Sequence, residues 1–184
     1  MADRNHENLE SLVSGCIQKD QRAQEKLYKM YFGYALSVAL LYCNDRNCAM
    51  AVVNDSFIKI FSQIKRFDLQ MSFKVWLRKI VINTALDQLR KEKRNPRFDQ
   101  AENLATEDLS AGITAKLQAR DIEALLDYLP HILKTIFCLY EIEGYSHGEI
   151  SRLMNIPESS SRVYLTRARK NLRELYLLNN KSRK

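Results

Sequence analysis

Residues 158–173, Glu-Ser-Ser-Ser-Arg-Val-Tyr-Leu-Thr-Arg-Ala-Arg-Lys-Asn-Leu-Arg, place arginines and small polar side chains at helical spacing. Ser161, Leu165, Ala168, Leu172 and Leu175 recur at alternating intervals of four and three, which marks one buried stripe. Ser159, Val163, Thr166, Arg167 and Lys170 point away from it, with Arg162, Arg169 and Arg173 on the flanks. A helix with these faces can enter a DNA major groove. Its N-terminal residues, Ser159 and Ser160 among them, then lie near base edges and its later arginines near phosphates. Outward-facing Val163 offers an apolar partner to a thymine methyl. Tyr164 lies nearer the stripe, so rim packing is its first role and a DNA contact its second. The competing reading is a solvated basic helix in any small bundle.

Such a helix has to be held at a fixed angle, and the residues before it do that. Ser146 followed by Glu149 is a capping box, so a helix starts there, with Ile150 and Leu153 on its apolar face. Asn155 suits the left-handed conformation that ends a helix, and Pro157 suits the first position of the next. Two helices on a short, sharp turn form a helix-turn-helix pattern. Upstream, Leu117, Ile122, Leu125, Leu126 and Leu129 outline a helix stopping before Pro130. Ile132, Ile136, Phe137, Leu139 and Tyr140 outline another, ended by Gly144. Together they supply a small core for the turn to sit on.

The N-terminal half is also helical. Leu9, Leu12, Val13, Cys16 and Ile17 mark a first helix. Asp20 caps a second, with Ala23, Leu27, Tyr31, Ala35 and Val38 on its apolar face and an end near Cys43 and Asn44. A third follows Asp45, with Ala49, Val52, Val53, Ser56, Ile60 and Ile64 inward and Phe57 and Phe61 on a neighbouring, partly exposed face. Lys65 to Met71 reads as a loop, and Ser72 caps a fourth helix carrying Phe73, Trp76, Leu77, Ile80, Val81 and Ala85 on one side. That segment, to Arg97, holds Lys74, Arg78, Lys79, Arg90, Lys91, Lys93, Arg94 and Arg97 against only Asp87 and Glu92. An aromatic-rich loop followed by a basic helix suits stacking on unpaired bases, against the simpler reading of a solvated face. Asn95-Pro96 ends the helix. Residues 99–112 then turn acidic and lose periodicity, as a linker does; the tether either masks basic surface or is a plain spacer.

Composition narrows the class. Of 184 residues 46% are hydrophobic, with five Gly and three Pro, which together with long periodic runs indicates an all-α chain. The formal charge of +7 favours a polyanionic partner. The longest apolar patch, Ala35 to Cys43, is too short to span a bilayer, and the N-terminus has no apolar signal core, so a cytoplasmic protein without membrane insertion is expected. Cys16, Cys43, Cys48 and Cys138 form no C-x-x-C pair, and His6, His131 and His147 have no ligand-like spacing, so no metal and no cofactor is expected. With no phosphate loop, nucleophile elbow or paired carboxylates, the chain does not read as an enzyme.

These features in this order resemble an extracytoplasmic-function (ECF) sigma factor, the small two-domain kind of bacterial RNA polymerase specificity subunit. The resemblance is carried by Asp55-Ser-Phe-Ile-Lys-Ile-Phe61, by Ser72-Phe-Lys-Val-Trp-Leu-Arg-Lys-Ile-Val-Ile-Asn-Thr-Ala-Leu-Asp-Gln-Leu-Arg-Lys91, by Leu129-Pro130, and by Glu143-Gly-Tyr-Ser146 through Arg167-Ala-Arg-Lys-Asn-Leu172. It implies a sigma region 2 domain over 1–97, a flexible acidic linker over 98–113 and a sigma region 4 domain over 114–178. The first would grip the β′ subunit of core polymerase through Asp55, Phe57, Ile58 and Phe61. It would also capture unpaired minus-10 bases with Arg66, Phe67, Asn83, Asp87 and Arg90; extruding a base costs a few kcal/mol, which stacking and hydrogen bonds must match. The second would read the minus-35 element with Ser159, Ser160, Arg162, Val163, Arg167 and Lys170. Implied partners are the β′ and β subunits, promoter DNA and an anti-sigma factor. One departure stands out: Met50-Ala51-Val52-Val53-Asn54 replaces a short acidic run, keeping only Asp55, so core affinity is expected to be weaker or differently built. The alternatives are a decoy for an anti-sigma factor and a stand-alone helix-turn-helix regulator.

Overall fold

The computed structural model describes residues 2–93 and 125–181, and every regular element among them is helical. The chain divides into two compact units, Met1–Gln88 and Leu89–Lys184.

In the first unit, helix α1 runs over Ala2–Ile17 and α2 over Gln21–Leu40. Lys19 adopts a left-handed φ of 62° between them, and Asp20 accepts hydrogen bonds from the Arg22 and Ala23 amides at 3.2 Å. That cap satisfies two of the free donors at the start of α2. Leu12, Val13 and Cys16 are buried, whereas Ile17 is exposed. Burial, and after it the Asp20 carboxylate, push the Cys16 thiol up to about 11, so it stays protonated and inert at neutral pH. All four cysteines are free, with Cys16, Cys43 and Cys138 buried and Cys48 half-buried.

Gly15 lets α1 and α2 approach. A Cβ there would stand 2.6 Å from the Ala23 Cβ, a methyl that cannot swing aside. Gly15→Ala should therefore lower the melting temperature. Overpacking costs about 1–3 kcal/mol, more than the roughly 0.5–1 kcal/mol gained from better helix propensity. The double variant Gly15→Ala/Ala23→Gly should recover most of the loss; if the single variant melts higher than wild type, the close approach is wrong.

Helix α3, Arg46–Gln63, is capped by Asp45, which accepts from the Cys48 amide at 2.8 Å. Its expected inward residues, Ala49, Val52, Val53, Ser56, Ile60 and Ile64, are all buried. A 3-10 turn, Ile64–Arg66, and a bend lead to α4, Phe73–Lys93, whose first amides bond to the Ser72 carbonyl. An aromatic shelf seals this junction: Phe67 meets Phe73 edge-on at 5.2 Å and Trp76 at 5.1 Å, and Tyr31 from α2 lies 4.6 Å from Phe73. The expected end of the fourth helix at Asn95-Pro96 and the acidic linker fall outside the described residues.

The end of α4, from Leu89, already belongs to the second unit, which continues among the described residues with buried Leu125, Leu126 and Leu129. Helix α5, His131–Phe137, widens into a π-turn, Cys138–Ile142, followed by Gly144 at a φ of 75°. Helices α6, His147–Met154, and α7, Glu158–Lys181, complete the unit. Leu125 packs on Leu175, with Leu172 against the pair. Buried Lys134 keeps its ammonium 2.7 Å from Asp127.

Candidate nucleic-acid interface

The turn between α6 and α7 is built from its hydrogen bonds. Glu149 accepts from the Ser146 amide at 2.8 Å while the Ser146 hydroxyl accepts from the Glu149 amide at 3.3 Å, closing the capping box. Those bonds to Ser146 hold the Glu149 carboxyl below its usual pKa. Asn155 ends α6 at φ 51°, ψ 51°. The Ser151 hydroxyl then donates to the Ile156 carbonyl at 2.7 Å, and the Pro157 carbonyl accepts the Ser161 amide, so Pro157 stands one residue before α7 and not at its first position. Ile150 is buried as expected, Leu153 is only half-buried, and Met154 takes the second core position instead.

Helix α7 separates its faces as the spacing predicts. Ser161, Leu165, Ala168 and Leu175 are buried, and Leu172 is half-buried. Ser159, Arg162, Val163, Thr166, Arg167 and Lys170 are exposed, while Ser160 and Tyr164 are half-buried. Arg162 pairs with Glu158 one turn back, and Lys170 lies 3.9 Å from Glu174. Exposed pairs of this kind are worth about 0.3–0.5 kcal/mol, so either cation can turn to a phosphate at little cost. Arg169 differs. Its Nε and Nη2 both donate to Glu141, at 2.8 and 2.6 Å, and its guanidinium sits 5.7 Å from the Tyr140 ring centroid. It is engaged inside the unit.

His147 occupies the joint between these elements. Its Nδ1 is 2.9 Å from the Ser161 hydroxyl, and its ring stacks on Tyr140 with centroids 4.6 Å apart. Burial lowers the His147 pKa below its ordinary value; the Arg162 cation lowers it further, Glu158 pulls it back up and Arg169 again lowers it. A histidine with a depressed folded pKa contributes its full stability above the unfolded value of 6.5 and loses it as the pH falls from there to the folded value. The wild-type protein should therefore lose more melting temperature between neutral pH and mildly acidic pH than His147→Asn does. Parallel curves for the two would exclude His147 as the titrating group.

In the first unit the expected polymerase-facing residues do not share one environment. Asp55 is exposed, Ile58 is 67% exposed and Phe61 is half-buried. Phe57, expected on a partly exposed face, is only 2% exposed, with Tyr28 at 4.7 Å and Phe61 at 5.9 Å. The correction has a packing cause: α3 packs on α2 and also reaches α4 through Lys59, so its buried arc is wider than a single stripe. The outer face carries Ala51, Asn54, Asp55 and Ile58.

The expected minus-10 residues also divide. Arg66 is exposed, and Asn83, Asp87 and Arg90 share one half-buried face of α4. Asp87 accepts from Lys59 at 3.2 Å. Phe67 is corrected: it is 8% exposed because it fills the shelf against Phe73 and Trp76, so it supports the loop rather than offering a stacking face. Leu69, Met71 and Val75, in the same loop and the first turn of α4, are exposed apolar side chains, and periodicity singled out neither Met71 nor Val75. The turn that carries Leu69 and Met71 is set by Asp68, whose carboxylate accepts the Gln70 amide and whose carbonyl accepts the Met71 amide, both at 2.9 Å. An Asp two residues before an amide in a loop was the available signal.

The family described as Sigma-70 region 2 matches residues 27–95, and Sigma-70, region 4 matches residues 119–172. The chain is 28% identical over 172 residues to the ECF RNA polymerase sigma-E factor of Haemophilus influenzae, covering 87% of this chain and 90% of that one. It is 29% identical over 177 residues to the RNA polymerase sigma-H factor of Pseudomonas aeruginosa, covering 89% and 91%. A solved structure of CnrH in complex with the cytosolic domain of CnrY shares 21% identity at a TM-score of 0.46, covering 91% of this chain and 96% of that one.

Proposed function

Since the chain belongs to the extracytoplasmic-function group of sigma-70 factors, we propose that its two helical units divide promoter recognition between them. As a sigma factor it directs core RNA polymerase to promoters and starts transcription there. The domain division is 1–97 for sigma region 2 and 114–178 for sigma region 4, joined by the acidic stretch 98–113. Ser159, Ser160, Arg162, Val163, Arg167 and Lys170 read the minus-35 element. Arg66, Asn83, Asp87 and Arg90 meet the melted minus-10 strand, with Trp76, Met71 and Val75 in place of Phe67 as the apolar surface. Asp55, Ile58 and Phe61 dock on the β′ subunit, and contacts to β complete the complex. No catalytic group is assigned. No described helix is long and apolar enough to cross a membrane, and the site of action is the cytoplasm, where polymerase works. An anti-sigma factor is the proposed regulator.

The observation that carries this reading is the two-faced α7: a buried Ser161–Leu165–Ala168 stripe opposite exposed Val163, Arg167 and Lys170. Phosphate contacts from such cations supply sequence-independent affinity, and the outward N-terminal turn supplies base contacts. The test is run-off transcription by core polymerase plus this protein on the promoter upstream of its own gene. A discrete transcript that depends on the protein is expected. No transcript, together with no retention of core polymerase at low salt, would overturn the reading and leave the decoy alternative, to which Met50 and Ala51 in place of acids point.

A further inference from the structure

The first turn of α7 carries the side chains proposed to meet base edges, yet apolar packing does little to hold it. Leu165, Ala168 and Leu175 anchor the helix further along, whereas the first buried position is Ser161, a small hydroxyl at 0% exposure. A buried serine cannot fix a helix by dispersion. It needs a hydrogen-bond partner, and its partner is His147 Nδ1 at 2.9 Å. The His147 ring in turn lies nearly flat on Tyr140, with 25° between planes and 4.6 Å between centroids. The residue after Tyr140 is Glu141, which receives Arg169 of α7 at 2.6 and 2.8 Å.

The contacts therefore close a ring: Ser161, His147, Tyr140, Glu141, Arg169 and back along α7. Ser161 and Arg169 stand about 12 Å apart on that helix, roughly two turns. A helix pinned at one point can still pivot; pinned at two points, it has a defined tilt. His147 is the member that joins α6, the π-turn and α7.

We infer that His147 is a positioning residue for promoter reading, holding the N-terminal turn of α7 at the angle at which its side chains register with base pairs. This rests on the proposed reading of α7 as the minus-35 helix. His147 touches no DNA in this scheme. Its loss should therefore blur sequence discrimination while leaving the phosphate contacts of Arg167 and Lys170 in place.

The test uses holoenzyme reconstituted with core polymerase, the duplex promoter upstream of its own gene, and a fragment with the minus-35 element scrambled. His147→Phe keeps a ring on Tyr140 but loses the bond to Ser161; Ser161→Ala removes the same bond from the other side. Each should lower the affinity ratio between the two fragments about ten-fold, the scale of one misread base pair, without changing the salt slope. His147→Asn, whose amide can stand where Nδ1 stood, should recover most of the ratio.

A wild-type ratio in both His147→Phe and Ser161→Ala would overturn the inference. So would a fall in salt slope of about one, which would make His147 a phosphate contact. An equal loss on both fragments, tracking a lower melting temperature, would reduce His147 to a stabilising residue. Arg167→Ala, run alongside, separates the two levels. If it leaves the salt slope unchanged, the reading of α7 itself fails; if it lowers the slope while the His147 and Ser161 variants are silent, only the positioning role falls.

Discussion

Phe57→Ala should destabilise the protein by about 3–5 kcal/mol, the cost of a large aromatic removed from a packed interior. Its neighbour in sequence should behave in the opposite way. Phe57 is 2% exposed and lies against Tyr28, whose hydroxyl donates to Asn54 at 3.0 Å, so its removal opens a cavity between α2 and α3. Ile58 points outward at 67% exposure, and Ile58→Ala should change stability by no more than about 0.5 kcal/mol. It should nevertheless weaken retention of core polymerase if α3 docks there as proposed, because an exposed apolar side chain within a docking face is where truncation costs most. Chemical denaturation of both variants and a core-polymerase titration read the two effects separately. Wild-type stability in Phe57→Ala would refute the packing of α3 described here. Wild-type core affinity in Ile58→Ala would move the docking face elsewhere.

The second large effect belongs to α7. Each cation that neutralises a phosphate releases counterions, so log affinity falls with log salt with a slope of about −0.9 per contact. Arg167→Ala/Lys170→Ala should therefore flatten the slope by about 1.8 for promoter and scrambled fragments alike. Binding should weaken most at low salt, where those contacts contribute most. Arg169→Ala is the contrasting variant. Its guanidinium is held by Glu141 and Tyr140, so its loss should lower the melting temperature and leave the slope unchanged. Were the effects reversed, with Arg169 controlling the slope and Arg167/Lys170 silent, the helix would present a different face to DNA.

Much of this was legible in the chain because helical spacing reports burial directly. The stripe from Ser161 to Leu175 and the inward set of α3 lie where periodicity puts them, and the Ser146–Glu149 cap and the left-handed Asn155 follow from local chemistry. The failures have physical causes too. Phe57 read as partly exposed because periodicity sees one partner face at a time, whereas α3 is packed by both α2 and α4; Phe67, given a minus-10 role by the resemblance alone, is buried because the loop after α3 folds back on Phe73 and Trp76. Asp87, which the resemblance offers as a minus-10 contact, also accepts from Lys59, 28 residues away in sequence, and that pairing left no sign in the spacing. No spacing rule reaches across such a distance. The His147–Ser161 bond was hidden similarly, since a histidine without ligand-like neighbours says nothing about a serine in the next helix.

The widened turn at Cys138–Ile142 holds one residue more than an α-helical turn would, seen in the Glu143 amide bonding back to the Cys138 carbonyl. That surplus acts as a phase shifter. Deleting a single residue there would let the segment relax to ordinary helix and swing everything downstream by about 100°. Tyr140 would then face away from the imidazole, and Glu141 would leave the guanidinium it now clasps. Chain length at this point is thus a tuning parameter: two chains with identical reading helices but different residue counts in this turn would present them to DNA at different angles.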